Sequence, residues 1–313
     1  MSAVRGRQES ELRELRRLIA AHKRWDVAFA IVGVICLMIG VLTLVSLFVD
    51  MAIDGLPRIT GDFFTSYPSR RAENAGILSA WVGSTLVMLT TAFVAVPLGV
   101  GAGVYLEEYA RKNWITDIIE INVTNLAGVP SIVYGLLALG LFVYQFGLGQ
   151  SILTAGLTLA LLILPVVIVA TRESIRAIPV GIREGSYAMG ATKWQTTSYH
   201  IIPYSMPGIL TGVIIGLARA IGETAPIITI GALTFIAFLP PAPVKAEAPF
   251  VSFEWLSSPF TVMPIQMFNW TSRPEEAFQA NAAAAGLVLV VMTLAMNGAA
   301  IYIRYRLRRN IKW

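Results

Sequence analysis

Six long apolar runs, one after another, leave this 313-residue chain few ways to fold. They cover residues 27–49, 78–106, 123–146, 151–171, 205–238 and 282–305. Each reaches the length of about 20 residues that a helix needs to cross a hydrocarbon core. The expectation is an all-α polytopic membrane protein with six transmembrane helices. Gly128 and Pro130 fall inside the third run and Pro226 inside the fifth. Composition agrees: 56% of residues are hydrophobic and 14% charged, against about 25% charged in soluble domains.

The first run is too long for a signal-peptide core, and residues 1–26 before it are polar. In "ESELRELRRLIAAHKRW", Leu12, Leu15, Leu18, Ile19 and His22 recur at helical spacing. They predict an amphipathic N-terminal helix along the membrane surface, with a solvated charged tail as the alternative. Three regions follow: an arm at 1–26, a first transmembrane helix with an external loop at 27–74, and a transmembrane core at 75–313.

Six crossings put both termini on one side, and charge says which. Of 24 Lys and Arg residues, 18 lie in the two termini and the loops at 107–116 and 172–200, while 5 lie in the alternate loops. The positive-inside rule places the first set, and both termini, in the cytoplasm. The remaining one is Arg219. Basic residues gathered at the chain ends in this way read as topology, not as a nucleic-acid site. The external segments 50–77 and 239–281 carry prolines and aromatics, and are expected to rest on the outer membrane surface or meet an external partner.

Enzymatic chemistry finds no footing. There is no G-x-x-x-x-G-K-[ST] phosphate loop, no nucleophile elbow, and only His22 and His200 as histidines, without metal spacing. The single cysteine, Cys36, sits in an apolar run and has no partner for an internal disulfide. The chain is expected to hold no cofactor and to hydrolyse nothing.

The cytoplasmic loop 172–203 looks structured. Pro179 suits a helix start, residues 180–188 continue it, Gly190 permits a left-handed turn, and residues 192–200 form a second helix leading to Pro203. Such an element can enter a groove of another protein, or it is a plain amphipathic connector. Glu184, Gly190 and Pro203 stand at the spacing of the EAA loop of ABC importer permeases, which this segment resembles. Gly185 and Ser186 replace the two alanines of that pattern, and His200 replaces its isoleucine. The resemblance implies a coupling helix docked on a cytoplasmic ATPase.

A narrower resemblance runs from residue 75 onward. "GVYLEEYA" (103–110), "NLAGVPSIVYGLLALG" (125–140) and "ARAIGETAPI" (218–227) are similar, in this order, to the A-type permease subunits of phosphate ABC importers. This implies the MetI-like fold of type I importers and transport of inorganic phosphate across the bacterial inner membrane. It also implies a heterodimer with a C-type permease, two copies of an ATPase that binds ATP and Mg, and an external phosphate-binding protein.

Within residues 212–237, Arg219 and Glu223 are the only charges. Four residues apart, they share a face if the helix continues. A charge at mid-membrane costs at least about 2.5–3.5 kcal/mol, so the pair is expected to face the bundle interior. One reading is a structural ion pair. The other is anion handling: the arginine fork matches phosphate oxygens, Glu223 occupies it between anions, and Thr224 adds a hydroxyl. The resemblance implicates such an Arg and Glu in transport. Asn125, Ser131 and Tyr134 either line the same pathway or satisfy the kinked backbone around Pro130. "GVGAG" at 99–103 favours close helix packing. A permease for another oxyanion, such as sulfate or molybdate, and a secondary transporter acting alone are the competing functions. The coupling loop and the lack of inverted-repeat symmetry argue against the latter.

Overall fold

The computed structural model describes residues 2–244, 250 and 252–308. It divides into two compact units, Met1–Ile53 and Asp54–Trp313. The first unit belongs to helix α1, Ser2–Gly55. Residues 7–32 contain neither Gly nor Pro, so nothing stops the helix between arm and span. The expected surface helix followed by a separate crossing is therefore one continuous helix of 54 residues. From Trp25 to Val49 its large apolar side chains are exposed all round, the pattern of a membrane-spanning helix.

In the second unit a short α2 (Gly61–Thr65) precedes α3 (Leu78–Val104), which ends in a π-helical turn, Tyr105–Tyr109. Then come α4 (Trp114–Leu126), α5 (Ser131–Ala138) with a π-helical extension Leu139–Gln145, and α6 (Ile152–Arg176). After α7 (Val180–Ala188), α8 (Lys193–Thr196) passes through a π-helical turn, Thr197–Ile201, into α9 (Ile202–Ile221). The last three are α10 (Ala225–Thr229), α11 (Met263–Thr271) and α12 (Glu276–Arg308).

Helices α3, α6 and α9 form the centre. Small residues set how closely they approach. A Cβ at Gly99 would sit 2.7 Å from Val167 Cγ1, and one at Gly103 would sit 2.6 Å from Thr171 Cβ. The close-packing role read for the "GVGAG" stretch is what these two glycines perform, whereas Gly101 faces open space. Val87, Ala95, Ala155, Leu159 and Ile163 fill the seam.

Two crossings differ from expectation, both because proline breaks the hydrogen-bond ladder. The third was expected as one span at 123–146. It is a pair, residues 114–126 and 131–145, bent by 106°. The residue before a proline is pushed out of the helical region, so α4 ends at Leu126 and α5 restarts behind Pro130. Its first half also begins at Trp114, inside the stretch expected to be loop. The fifth was expected to run over 205–238. Continuing it through Pro226 would drive that ring into the Gly222 carbonyl, so α9 stops at Ile221 with Gly222 as its cap. Pro226 then sits in the first turn of α10, where its missing N–H costs nothing. With Trp114–Gln145 taken as one broken span, six helical segments among the described residues are long and apolar enough to cross a membrane.

At the end of the unit away from α7, the segments expected as outer loops fold against each other. Phe63, Trp270 and Phe278 stack at centroid distances of 6.1 and 6.5 Å. Arg58 ties the layer together: its Nε donates to Asn281 Oδ1 at 2.6 Å, and its Nη2 donates to the carbonyls of Ala72, Glu73 and Ala75 at 3.0, 2.6 and 3.0 Å.

Candidate functional site

Two helix breaks meet in the second unit. Gly135 of α5 packs so tightly on α10 that a Cβ there would lie 2.6 Å from Pro226 Cα. This contact sets α5, and Tyr134 with it, against α10. Tyr134 is buried, and its hydroxyl donates to the Leu126 carbonyl at 2.8 Å. It is a second donor to that carbonyl, which also accepts from the Val129 N–H at 3.1 Å where α4 ends. Ser131 is half-buried at the first position of α5, and Asn125 is exposed in the last turn of α4. Among the described residues, no hydrogen bond or ion pair joins any of these three to Arg219 or Glu223.

Arg219 occupies the last turn of α9, about 24 Å along the helix from Pro203 at 1.5 Å per residue. Because the helix stops at Ile221, Glu223 does not continue the helical face assumed from the four-residue spacing. It follows a tight turn in which Glu223 N donates to the Ala220 carbonyl at 3.2 Å. The pair still forms: Arg219 Nε donates to Glu223 Oε1 at 3.3 Å. Neither charge is deeply buried, with side-chain exposures of 40% for Arg219 and 20% for Glu223. The pair was expected to face the bundle interior; in this chain by itself, part of each side chain is open. Among the described residues, neither Nη of Arg219 makes a hydrogen bond, so most of the guanidinium fork is available. Glu223 also borders a cavity of about 10 Å³ with Ser84, Met88, Leu159 and Val262, room for about one water. Thr224 is half-buried at the cap position of α10, without a side-chain capping bond.

The second candidate is the helix–turn–helix of residues 180–201. Helix α7 starts behind Pro179 and ends before Gly190, whose φ of +82° lies in the left-handed region. Thr192 opens α8 with a capping box: Gln195 N donates to Thr192 Oγ1 at 3.3 Å, and Thr192 N donates to Gln195 Oε1 at 2.8 Å. Ser186 and Thr196, both buried, join the two limbs through a 2.8 Å hydroxyl contact. Pro203 leaves the Tyr199 carbonyl without its usual donor, and the π-helical turn before it relieves the ring clash. Glu184 and Gly185 are exposed on α7, and Pro203 is exposed on α9. The turn also presents Met189 and Trp194 at 88% and 67% exposure, apolar surface of the kind that marks a protein contact.

Residues 95–312 match the family described as the inner membrane component of binding-protein-dependent transport systems. The chain belongs to this family. The permease is 32% identical over 271 residues to YqgI, a probable ABC transporter permease protein of Bacillus subtilis, covering 85% of this chain and 90% of the relative. It is 30% identical over 298 residues to the phosphate transport system permease protein PstA of Yersinia pestis, covering 93% and 94%. To PstA 1 of Mycobacterium tuberculosis (strain H37Rv) it is 32% identical over 230 residues, covering 74% and 70%. In fold it is similar to the inward-facing MetNI methionine ABC transporter, with a TM-score of 0.54 at 18% identity over 72% of this chain and 94% of that one. The permease is thus a multi-pass inner membrane protein with the type I importer architecture.

Sequence reasoning assigned no role to the charges that anchor the helix–turn–helix. Arg176 grips Glu107 with both Nε and Nη2, at 3.2 and 3.0 Å. Arg172 reaches Glu120 of α4 at 2.6 Å, and Arg183 of α7 reaches Glu108 at 2.7 Å. A signal was present: three arginines at 172, 176 and 183 lie on the same side, by charge count, as "LEEY" at 106–109.

Proposed function

We propose that the permease carries inorganic phosphate into the cell as the A-type half of a heterodimer with a C-type permease. Two copies of a cytoplasmic ATPase supply ATP and Mg and dock on residues 180–201. An external phosphate-binding protein delivers the anion. The observation that carries this reading is the half-exposed Arg219, held by one 3.3 Å bond to Glu223 at a helix break. A charge facing lipid at that depth costs about 2.5–3.5 kcal/mol or more. The open side of the pair therefore faces water or the second permease. An arriving phosphate competes with Glu223 for the guanidinium fork, and Glu223 reclaims it when the anion leaves, which keeps the site exchangeable. Thr224, Asn125, Ser131 and Tyr134 are assigned to the same pathway. The names of the relatives support phosphate over other oxyanions.

The decisive experiment is uptake by the complete complex in vesicles. Labelled phosphate is expected to accumulate only with ATP and the binding protein, with arsenate competing and sulfate not. Uptake on an ion gradient without the ATPase would make the chain a secondary transporter, and sulfate or molybdate uptake alone would assign another oxyanion.

The proposed orientation puts both termini in the cytoplasm and residues 239–281 outside. In a Cys36→Ala background, Ser272→Cys, exposed behind α11, is expected to react with an impermeant thiol reagent on intact spheroplasts. Labelling only after lysis would invert the topology.

A further inference from the structure

The helix–turn–helix continues covalently into only two helices, α6 before it and α9 after it. A third connection runs through side chains. Arg183 of α7 donates from Nε and Nη2 to Glu108 Oε1, at 3.1 and 2.7 Å. The same guanidinium donates from Nη1 to the Ile178 carbonyl at 2.9 Å and from Nη2 to the Ile175 carbonyl at 3.1 Å. One fork therefore holds α7, the end of α6 and the end of α3 together. Glu108 is 7% exposed and Arg183 19%, well shielded compared with ordinary surface pairs.

The other limb is held from the next residue along. Lys193, the first residue of α8, places its Nζ 5.2 Å from the ring centroid of Tyr109, within cation–π range. Both limbs, one on each side of Gly190, are thus fastened to the same π-helical turn at the end of α3. A π-helical turn offsets its side chains relative to an α-helix, and here it gives Glu108 to one limb and Tyr109 to the other. Farther along, α3 carries Ser84 and Met88, which border the Glu223 cavity. From Glu108 to Ser84 is about 36 Å along one helix at 1.5 Å per residue.

We propose that Glu108 and Arg183 form a clamp that passes motion of the helix–turn–helix directly to α3, and along α3 to the Glu223 cavity. They act as positioning residues, not as transport-site residues. This rests on the coupling role proposed for residues 180–201. On that reading, a displacement imposed on α7 by the ATPase moves α3 as well as α6 and α9. An exposed pair of this length contributes little. This one is shielded and shares its arginine with two helix-end carbonyls, so the connection is stiff.

The test uses the complete complex in vesicles and reads phosphate moved per ATP hydrolysed, with subunit stoichiometry and Tm measured on the same samples. Glu108→Gln, outside the docking segment, is expected to lower that ratio by about tenfold, equivalent to about 1.4 kcal/mol, while basal hydrolysis and assembly persist, and Arg183→Gln is expected to lower it as far. Arg183→Lys keeps the charge but not the fork, and is expected to fall between these variants and the wild type. It also serves as the reading if Arg183→Gln fails to assemble. Gly190→Val is run alongside. If it loses coupling while the clamp variants, Arg183→Lys included, keep the wild-type ratio, the clamp is off the path of motion. If Gly190→Val also keeps that ratio, the coupling role of the loop itself fails.

Discussion

Arg219→Gln is expected to abolish phosphate uptake while the complex assembles and hydrolyses ATP. A bidentate contact to phosphate comprises two charge-assisted hydrogen bonds, each contributing about 1.5–3 kcal/mol. Losing both reduces transport at least about 100-fold. Assembly survives because the pair is open: with side chains 40% and 20% exposed, stranding Glu223 costs about 1 kcal/mol or less. A fully buried broken pair would cost about 3–5 kcal/mol. Arg219→Lys is expected to retain only a fraction of the activity, since an ammonium cannot present the planar fork. The neutral double variant Arg219→Gln/Glu223→Gln separates the two roles of the pair. Assembled complex without uptake assigns the pair to transport, and restored uptake would make it a structural tie alone. The measurement is uptake of labelled phosphate in vesicles, normalised to assembled complex.

Gly190→Val is expected to uncouple hydrolysis from transport. Gly190 has a φ of +82°, and a Cβ added there meets nothing within 4 Å. The penalty is therefore purely backbone: about 1–3 kcal/mol to hold a β-branched residue in the left-handed region. That strain is relieved by re-aiming α7 against α8, which displaces Met189 and Trp194 from the surface proposed to meet the ATPase. Gly190→Asn, a residue that tolerates this region, is expected to keep most of the coupling. Stimulation of ATPase activity by the binding protein reads the outcome. Full stimulation in Gly190→Val would reduce the loop to a connector.

The helix–turn–helix was legible because its instructions are local. Pro179 starts a helix, Gly190 turns it and Thr192 caps the next, and each acts through backbone conformation within a few residues. The Arg219–Glu223 pair was legible as a pair because two charges stand out in an apolar stretch. Its geometry was not. A four-residue spacing implies one helical face only if the helix continues, and Pro226 ends it through a clash with a carbonyl four residues earlier. The clamp was less legible still. Glu108 and Arg183 lie 75 residues apart, and nothing in a local pattern matches one carboxylate to one of three nearby arginines.

The division follows from the range of the forces. Transfer of apolar side chains from water depends on each segment alone, so the number of crossings and the chain's membrane class follow from the amino-acid order. Proline and glycine act over about one helical turn, so the positions of the breaks are written there too. Their consequences depend on what packs against them. That α5 seats Gly135 on Pro226 is a matter of side-chain volume at a contact between distant segments. That part of each side chain of the pair stays open, and that the end of α3 grips both limbs of the loop, was decided only when the helices packed. Close packing and directional hydrogen bonds act over a few ångströms, between residues that the chain itself keeps far apart.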